Sequence, residues 1–85
     1  MTEASALRRE IARNRARRVE MRKALGHELR QWRESLRISQ TTAGAKAGIT
    51  QACLSNYETG RREAPHGVVV LLNAFYREQC ERAAA

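Results

Sequence analysis

From residue 21 onward the large apolar side chains recur at helical intervals. Met21, Leu25, Leu29, Trp32 and Leu36 are spaced by four, four, three and four, so they share one face of one helix and are expected in a core. Upstream, residues 2–24 are rich in Ala, Arg and Glu and hold neither Gly nor Pro, a helix-permissive composition. Leu7 and Ile11 lie one turn apart, but Ala12-Arg-Asn-Arg-Ala-Arg-Arg18 follows without a large apolar residue, so the stripe is interrupted there. Only Gly26 interrupts residues 5–35, at roughly 1 kcal/mol in a helix, so a single long helix is compatible with the pattern.

Residues 39–60 read as two short helices joined by a tight turn. Ser39 and Thr50 can cap them through their hydroxyls. Gly48 can end the first in a left-handed conformation at little steric cost, and Ile49 can anchor the turn. Gly44 leaves room for the two helices to cross closely. In the second helix Cys53, Leu54 and Tyr57 form an apolar face, with Gln51, Ala52, Ser55 and Asn56 on the other side; Gly60 is a stop signal. Residues 61–67 form a loop punctuated by Pro65 and Gly67. Residues 68–82 read as a last helix with Val70, Leu71, Ala74 and Phe75 inward, although the three valines also permit a short strand. Val69, Leu72 and Tyr76 are then surplus apolar surface for a dimer contact, and Ala83–Ala85 should fray.

Eighty-five residues make one small domain, here all-α. The formal charge of +7 favours a polyanionic partner. The excess is uneven: residues 1–24 carry eight Lys/Arg against three Glu, and residues 25–85 carry eight against six. The division is therefore a basic, Arg-rich helical extension over 1–24 and a domain over 25–82. The extension has three readings: an arm that follows phosphates through Arg13, Arg15, Arg17 and Arg18, a helix that pairs with a second copy through Leu7 and Ile11, or a solvated extension of the next helix. Cys53 and Cys80 lack metal-ligand spacing and read as small thiols. His27 and His66 read as surface residues. No nucleophile–base pair, carboxylate pair, phosphate loop or metal cluster appears, so neither an enzyme nor a cofactor is expected. The N-terminus has no apolar run and the longest one, Val68–Leu72, is too short for a bilayer, which implies a cytoplasmic protein without a membrane partner.

The spaced pattern Ser39-Gln40, Gly44, Gly48-Ile49, Tyr57-Glu58-x-Gly60 and Pro65, with Leu25-Gly26-x-x-Leu29-Arg30 upstream, resembles the helix-turn-helix of lambda-repressor-like (Xre/Cro) DNA-binding domains over roughly residues 25–76. Ala43 and Ala47 stand where that family usually has larger apolar residues, and Asn73 where it usually has an apolar one. The alanines imply a thinner core, filled by Trp32 or Phe75. The resemblance implies a five-helix-type bundle. It also implies an ion pair between Arg33 and Glu58, and a Gln40 that contacts a phosphate and buttresses Gln51.

A base-reading helix needs short or amide side chains on its first turns, which Gln51, Ala52, Ser55 and Asn56 supply. Lys46, Thr50, Thr59, Arg61 and Arg62 are candidate phosphate contacts that would set register. The expected function is sequence-specific binding of double-stranded DNA by a transcriptional regulator of phage or mobile-element type. It would act as a repressor by operator occlusion, binding paired half-sites as a homodimer. The rival readings are an antitoxin-like or other protein-interaction module on the same fold, and a nonspecific nucleic-acid binder acting through the Arg-rich segment.

Overall fold

The first helix, α1, runs unbroken from Glu3 to Ser35 in a computed structural model that describes residues 2–85. Its N-cap is Thr2, whose hydroxyl accepts from the Ser5 N–H. At 1.5 Å per residue it is roughly 50 Å long. It passes through residues 24 and 25 with no change of backbone. Then follow α2 (Gln40–Lys46), α3 (Gln51–Glu58) and α4 (His66–Ala84); no strand occurs among the described residues.

The local signals account for the motif. Ser39 caps α2 by accepting from the Thr42 N–H at 3.1 Å, and Thr50 caps α3 by accepting from the Cys53 N–H at 3.1 Å. Gly48 has φ +72°. The other turn, between α1 and α2, puts Arg37 at φ 57°, a left-handed non-glycine position. A Cβ on Gly44 would lie 2.9 Å from the Ile49 carbonyl oxygen and 3.3 Å from that of Thr50, so glycine lets α2 approach the turn that launches α3.

The core is Leu29, Ala43, Ala47, Leu54, Leu72 and Tyr76, with Leu25, Trp32, Leu36, Ile38, Ile49, Val68 and Phe75 packed partly buried against it. The two alanines therefore sit inside, with Trp32 and Phe75 flanking. The second half of α1 joins this core through Gly26, Leu29 and Arg33. Residues 6–18 of the same helix are all exposed.

Four expectations need correction. The bundle has four helices rather than five, because the extension and the first helix are one and residues 61–65 stay non-helical. The last helix begins at His66, inside the expected loop, because Pro65 sits at its N-cap with φ −57° and accepts from the Val69 N–H. Its inward face is Leu72 and Tyr76, both 0% exposed, while Val70 and Leu71 are each 50% exposed. Leu72 and Tyr76 are thus spent in the core and cannot form a dimer contact. Finally, Met21 is 70% exposed, because α3 and its following loop do not reach over it.

Candidate nucleic-acid interface

Helix α3 is anchored from behind and open in front. Leu54 and Glu58, one turn apart, are buried, whereas Gln51 and Ala52 are exposed and Ser55 and Asn56 half-buried. Helix α1 crosses the far end of α3. A Cβ on Gly26 would collide with the Tyr57 carbonyl oxygen and come within 2.7 Å of that of Glu58, so a mid-helix glycine permits the contact. Arg22 Nε donates to the Gly60 carbonyl at 2.7 Å, and Gly60 has φ +75°. Neither contact was foreseen. A glycine inside an otherwise strong helical pattern is the one sequence signal that could have pointed to it.

A chain of hydrogen bonds links the buried interior to the exposed first turn of α3. Arg33 and Glu58 form a bidentate ion pair, Nε to Oε2 at 2.7 Å and Nη2 to Oε1 at 3.0 Å. Arg33 Nη1 also donates to the Ile38 carbonyl at 2.8 Å. The Glu58 carboxylate bonded to it raises the Arg33 guanidinium above its ordinary value. Glu58 Oε1 also accepts from Gln40 Nε2 at 2.8 Å, and Gln40 Oε1 accepts from Gln51 Nε2 at 2.6 Å.

The direction of this relay follows from chemistry. A carboxylate only accepts, so Gln40 must turn its amide nitrogen to Glu58 and its oxygen to Gln51. Gln51 must then donate to Gln40. One N–H and the carbonyl oxygen of Gln51 are left pointing out of the network as a donor–acceptor pair.

The other site residues divide. The Thr50 hydroxyl accepts within the cap and keeps its proton available. Thr59 spends its proton on the Ser55 carbonyl at 2.9 Å, inside α3's own last turn. Lys46 Nζ lies 5.7 Å from the centre of the Phe75 ring, a cation–π contact toward α4. Arg61 and Arg62 are exposed, and the Arg62 N–H fixes the loop by donating to the Asn56 carbonyl at 3.2 Å. Arg13, Arg15, Arg17 and Arg18 are exposed on the free half of α1, apart from α2 and the start of α3.

This arrangement is two short helices joined at a left-handed glycine, the second with an amide held at its exposed start. A family model described as a helix-turn-helix domain matches residues 24–85. The chain belongs to this helix-turn-helix family. The match spans the packed half of α1 and all of α2, α3 and α4. Comparison with curated proteins and with solved structures gives no match. The second helix of this motif is α3. No helix among the described residues is long and apolar enough to cross a membrane.

Proposed function

We propose that this helix-turn-helix protein is a sequence-specific regulator of transcription that reads duplex DNA through α3 and represses by covering an operator. The observation that carries the reading is the relay from Arg33 through Glu58 and Gln40 to Gln51. It holds one exposed amide in one orientation. Adenine presents an acceptor at N7 and a donor at N6 in the major groove, the complement of the free N–H and oxygen of Gln51. Guanine presents two acceptors there and matches only half of it. Ala52 is small enough to meet a thymine methyl, with Ser55 and Asn56 further along the helix. The hydroxyl of Thr50 and the guanidiniums of Arg61 and Arg62 would set register on phosphates, and Arg13, Arg15, Arg17 and Arg18 would add sequence-independent attraction.

Selection from a random duplex library at about 0.15 M salt tests this. The expected result is an enriched motif with an adenine whose preference Gln51→Ala relaxes, by roughly 1–3 kcal/mol of discrimination. Binding without enrichment would overturn sequence-specific reading. Transcription from a promoter overlapping the enriched motif should fall when the protein is added; a rise would reverse the sign of regulation. Removing residues 2–18 should weaken binding similarly on all sequences and flatten its salt dependence. A changed sequence preference would instead give the arm a reading role.

A further inference from the structure

We propose that the free half of α1 is a pairing surface for a second copy of this chain, the two helices lying antiparallel with Leu7 of each beside Leu25 of the other. The surface lies away from Gln51, and the inference stands or falls without the DNA-binding reading.

The first observation is a seam. Leu7, Ile11, Asn14, Arg18, Met21 and Leu25 are spaced by four, three, four, three and four. This is the alternation that keeps one edge of a helix against a partner helix over several turns. Three of its four large apolar members are left open in the monomer, Leu7 57% exposed, Ile11 44% and Met21 70%, while Leu25 is half-buried against the core. The run of polar residues after Ile11 is thus no end to the stripe, because Asn14 and Arg18 hold its next two positions.

The second observation is that the seam is complementary to itself in one direction only. Turned antiparallel about a two-fold axis near residue 16, it sets Leu7 opposite Leu25, Ile11 opposite Met21, and Asn14 opposite Arg18. Apolar residues meet apolar ones in four outer layers. In the two central layers the Asn14 carbonyl can accept from the Arg18 guanidinium of the second copy. Such an isologous contact closes at two copies. A parallel pairing would set Arg18 against Arg18 and leave both charges without an acceptor.

The third observation is room at the receiving end. A groove of about 250 Å³ flanks the seam, lined by Met21, Leu25 and Tyr57, with Arg18, Arg22 and Glu63 on its wall. The antiparallel register delivers Leu7 of the second copy to this groove and sets its Arg8 near Arg22 on the wall.

Charge makes the pairing conditional. Arg8, Arg15 and Arg22 follow one another at seven-residue intervals along one flank of the seam. In an antiparallel pair this flank meets its own counterpart, Arg15 near Arg15. Pairing should therefore be weak in dilute salt and strengthen as anions screen the arginines. Contacts to nucleic acid show the opposite salt dependence.

Sedimentation equilibrium of the full chain, without nucleic acid, tests this between about 0.05 M and about 0.5 M salt. The expected result is a monomer–dimer equilibrium whose association constant rises with salt, and a Leu7→Glu/Ile11→Glu variant whose association falls at least about tenfold. Both substituted positions are exposed, so the thermal midpoint at concentrations where the parent is monomeric should stay unchanged. In a background with Cys53→Ala and Cys80→Ser, Ile11→Cys/Met21→Cys should oxidise to a covalent dimer faster than Ile11→Cys alone. A monomer at every salt concentration, or a dimer untouched by the double glutamate variant, would overturn the proposal. Faster crosslinking by Ile11→Cys alone would also overturn it, in favour of a parallel pair, and a dimer that weakens with salt would overturn the charged flank.

Discussion

The two halves of α1 share one unbroken backbone and very different surroundings. Residues 6–18 touch little but solvent, whereas Gly26, Leu29 and Arg33 are buried. Charge pairing does not explain the continuity of the free half. Its arginines stand one turn apart at Arg9 and Arg13, Arg13 and Arg17, and Arg18 and Arg22, like-charge pairs that cost a few tenths of a kcal/mol each. The packed half instead has the opposite-charge pair Arg30–Glu34 at 2.8 Å, which raises the arginine and lowers the acid. A helix is costly to start and cheap to extend. The packed half supplies the start, and helix-forming residues free of Gly and Pro carry it outward. One half thus holds the fold together and the other is carried by it, leaving its side chains available to a partner.

The sharpest way to break that contrast is to cut the packed half's polar anchor. Glu58→Ala leaves buried Arg33 with the Ile38 carbonyl as its hydrogen-bond acceptor and the exposed Glu34 carboxylate no closer than 3.9 Å, and should destabilise the bundle by roughly 3–5 kcal/mol in urea unfolding. A loss below about 1 kcal/mol would mean the pair is no more than a surface contact. The same variant frees Gln40 from its orienting acceptor and should lower binding specificity beyond what unfolding explains. The apolar version of the contrast comes next. Leu29→Ala should cost about 2–5 kcal/mol. Leu7→Ala, on the same helix, should leave the melting of isolated monomers within about 0.5 kcal/mol of the parent. Equal effects at the two positions would show that the free half folds back on the bundle.

What was legible in the sequence divides along the same line. Caps and the Gly48 turn act over three or four residues, so Ser39, Thr50 and Gly48 could be read directly. The Arg33–Glu58 pair spans 25 positions and was reachable only through resemblance. The inward face of α4 is not legible because five consecutive apolar residues, Val68–Leu72, give periodicity little to choose between; Leu72 and Tyr76 win because they meet Trp32 and the core. Met21 departs from its stripe for a different reason. A stripe shows which residues share a face, not where the neighbouring helix ends, and α3 ends before reaching it. Likewise Arg22 and Gly26 touch the end of α3 through its backbone, which has no signature in side-chain pattern.

Gly26 separates helix propensity from packing. On propensity alone Gly26→Ala should stabilise α1 by up to about 1 kcal/mol. In the fold the added methyl group meets the Tyr57 and Glu58 carbonyls, backbone atoms that cannot swing aside. The expected result is a net loss of about 1–3 kcal/mol, since α1 must lift from α3. A stabilised variant would mean that the two helices are not in close contact at this point.

The smallest effect expected at a buried position lies at Tyr76 and depends on pH. Its ring is wholly buried, 5.5 Å from that of Trp32, and its hydroxyl has no hydrogen-bond partner among the described residues. Removing an unpaired buried hydroxyl is neutral or mildly stabilising, so Tyr76→Phe should change neutral-pH stability by no more than about 1 kcal/mol. Burial first, and then the negative charge of Glu58, push the Tyr76 hydroxyl up to about 12. The fold therefore favours the protonated form. Its contribution is complete below the unfolded value near 10 and is lost as pH rises from about 10 to about 12, by at most roughly 3 kcal/mol. Tyr76→Phe should lack that loss, so the two proteins should diverge only in alkali, with the variant the more stable. No tyrosine lies in the free half of α1, so the divergence reports the packed half alone. Parallel alkaline profiles would show that Tyr76 ionises as easily inside the core as in the unfolded chain.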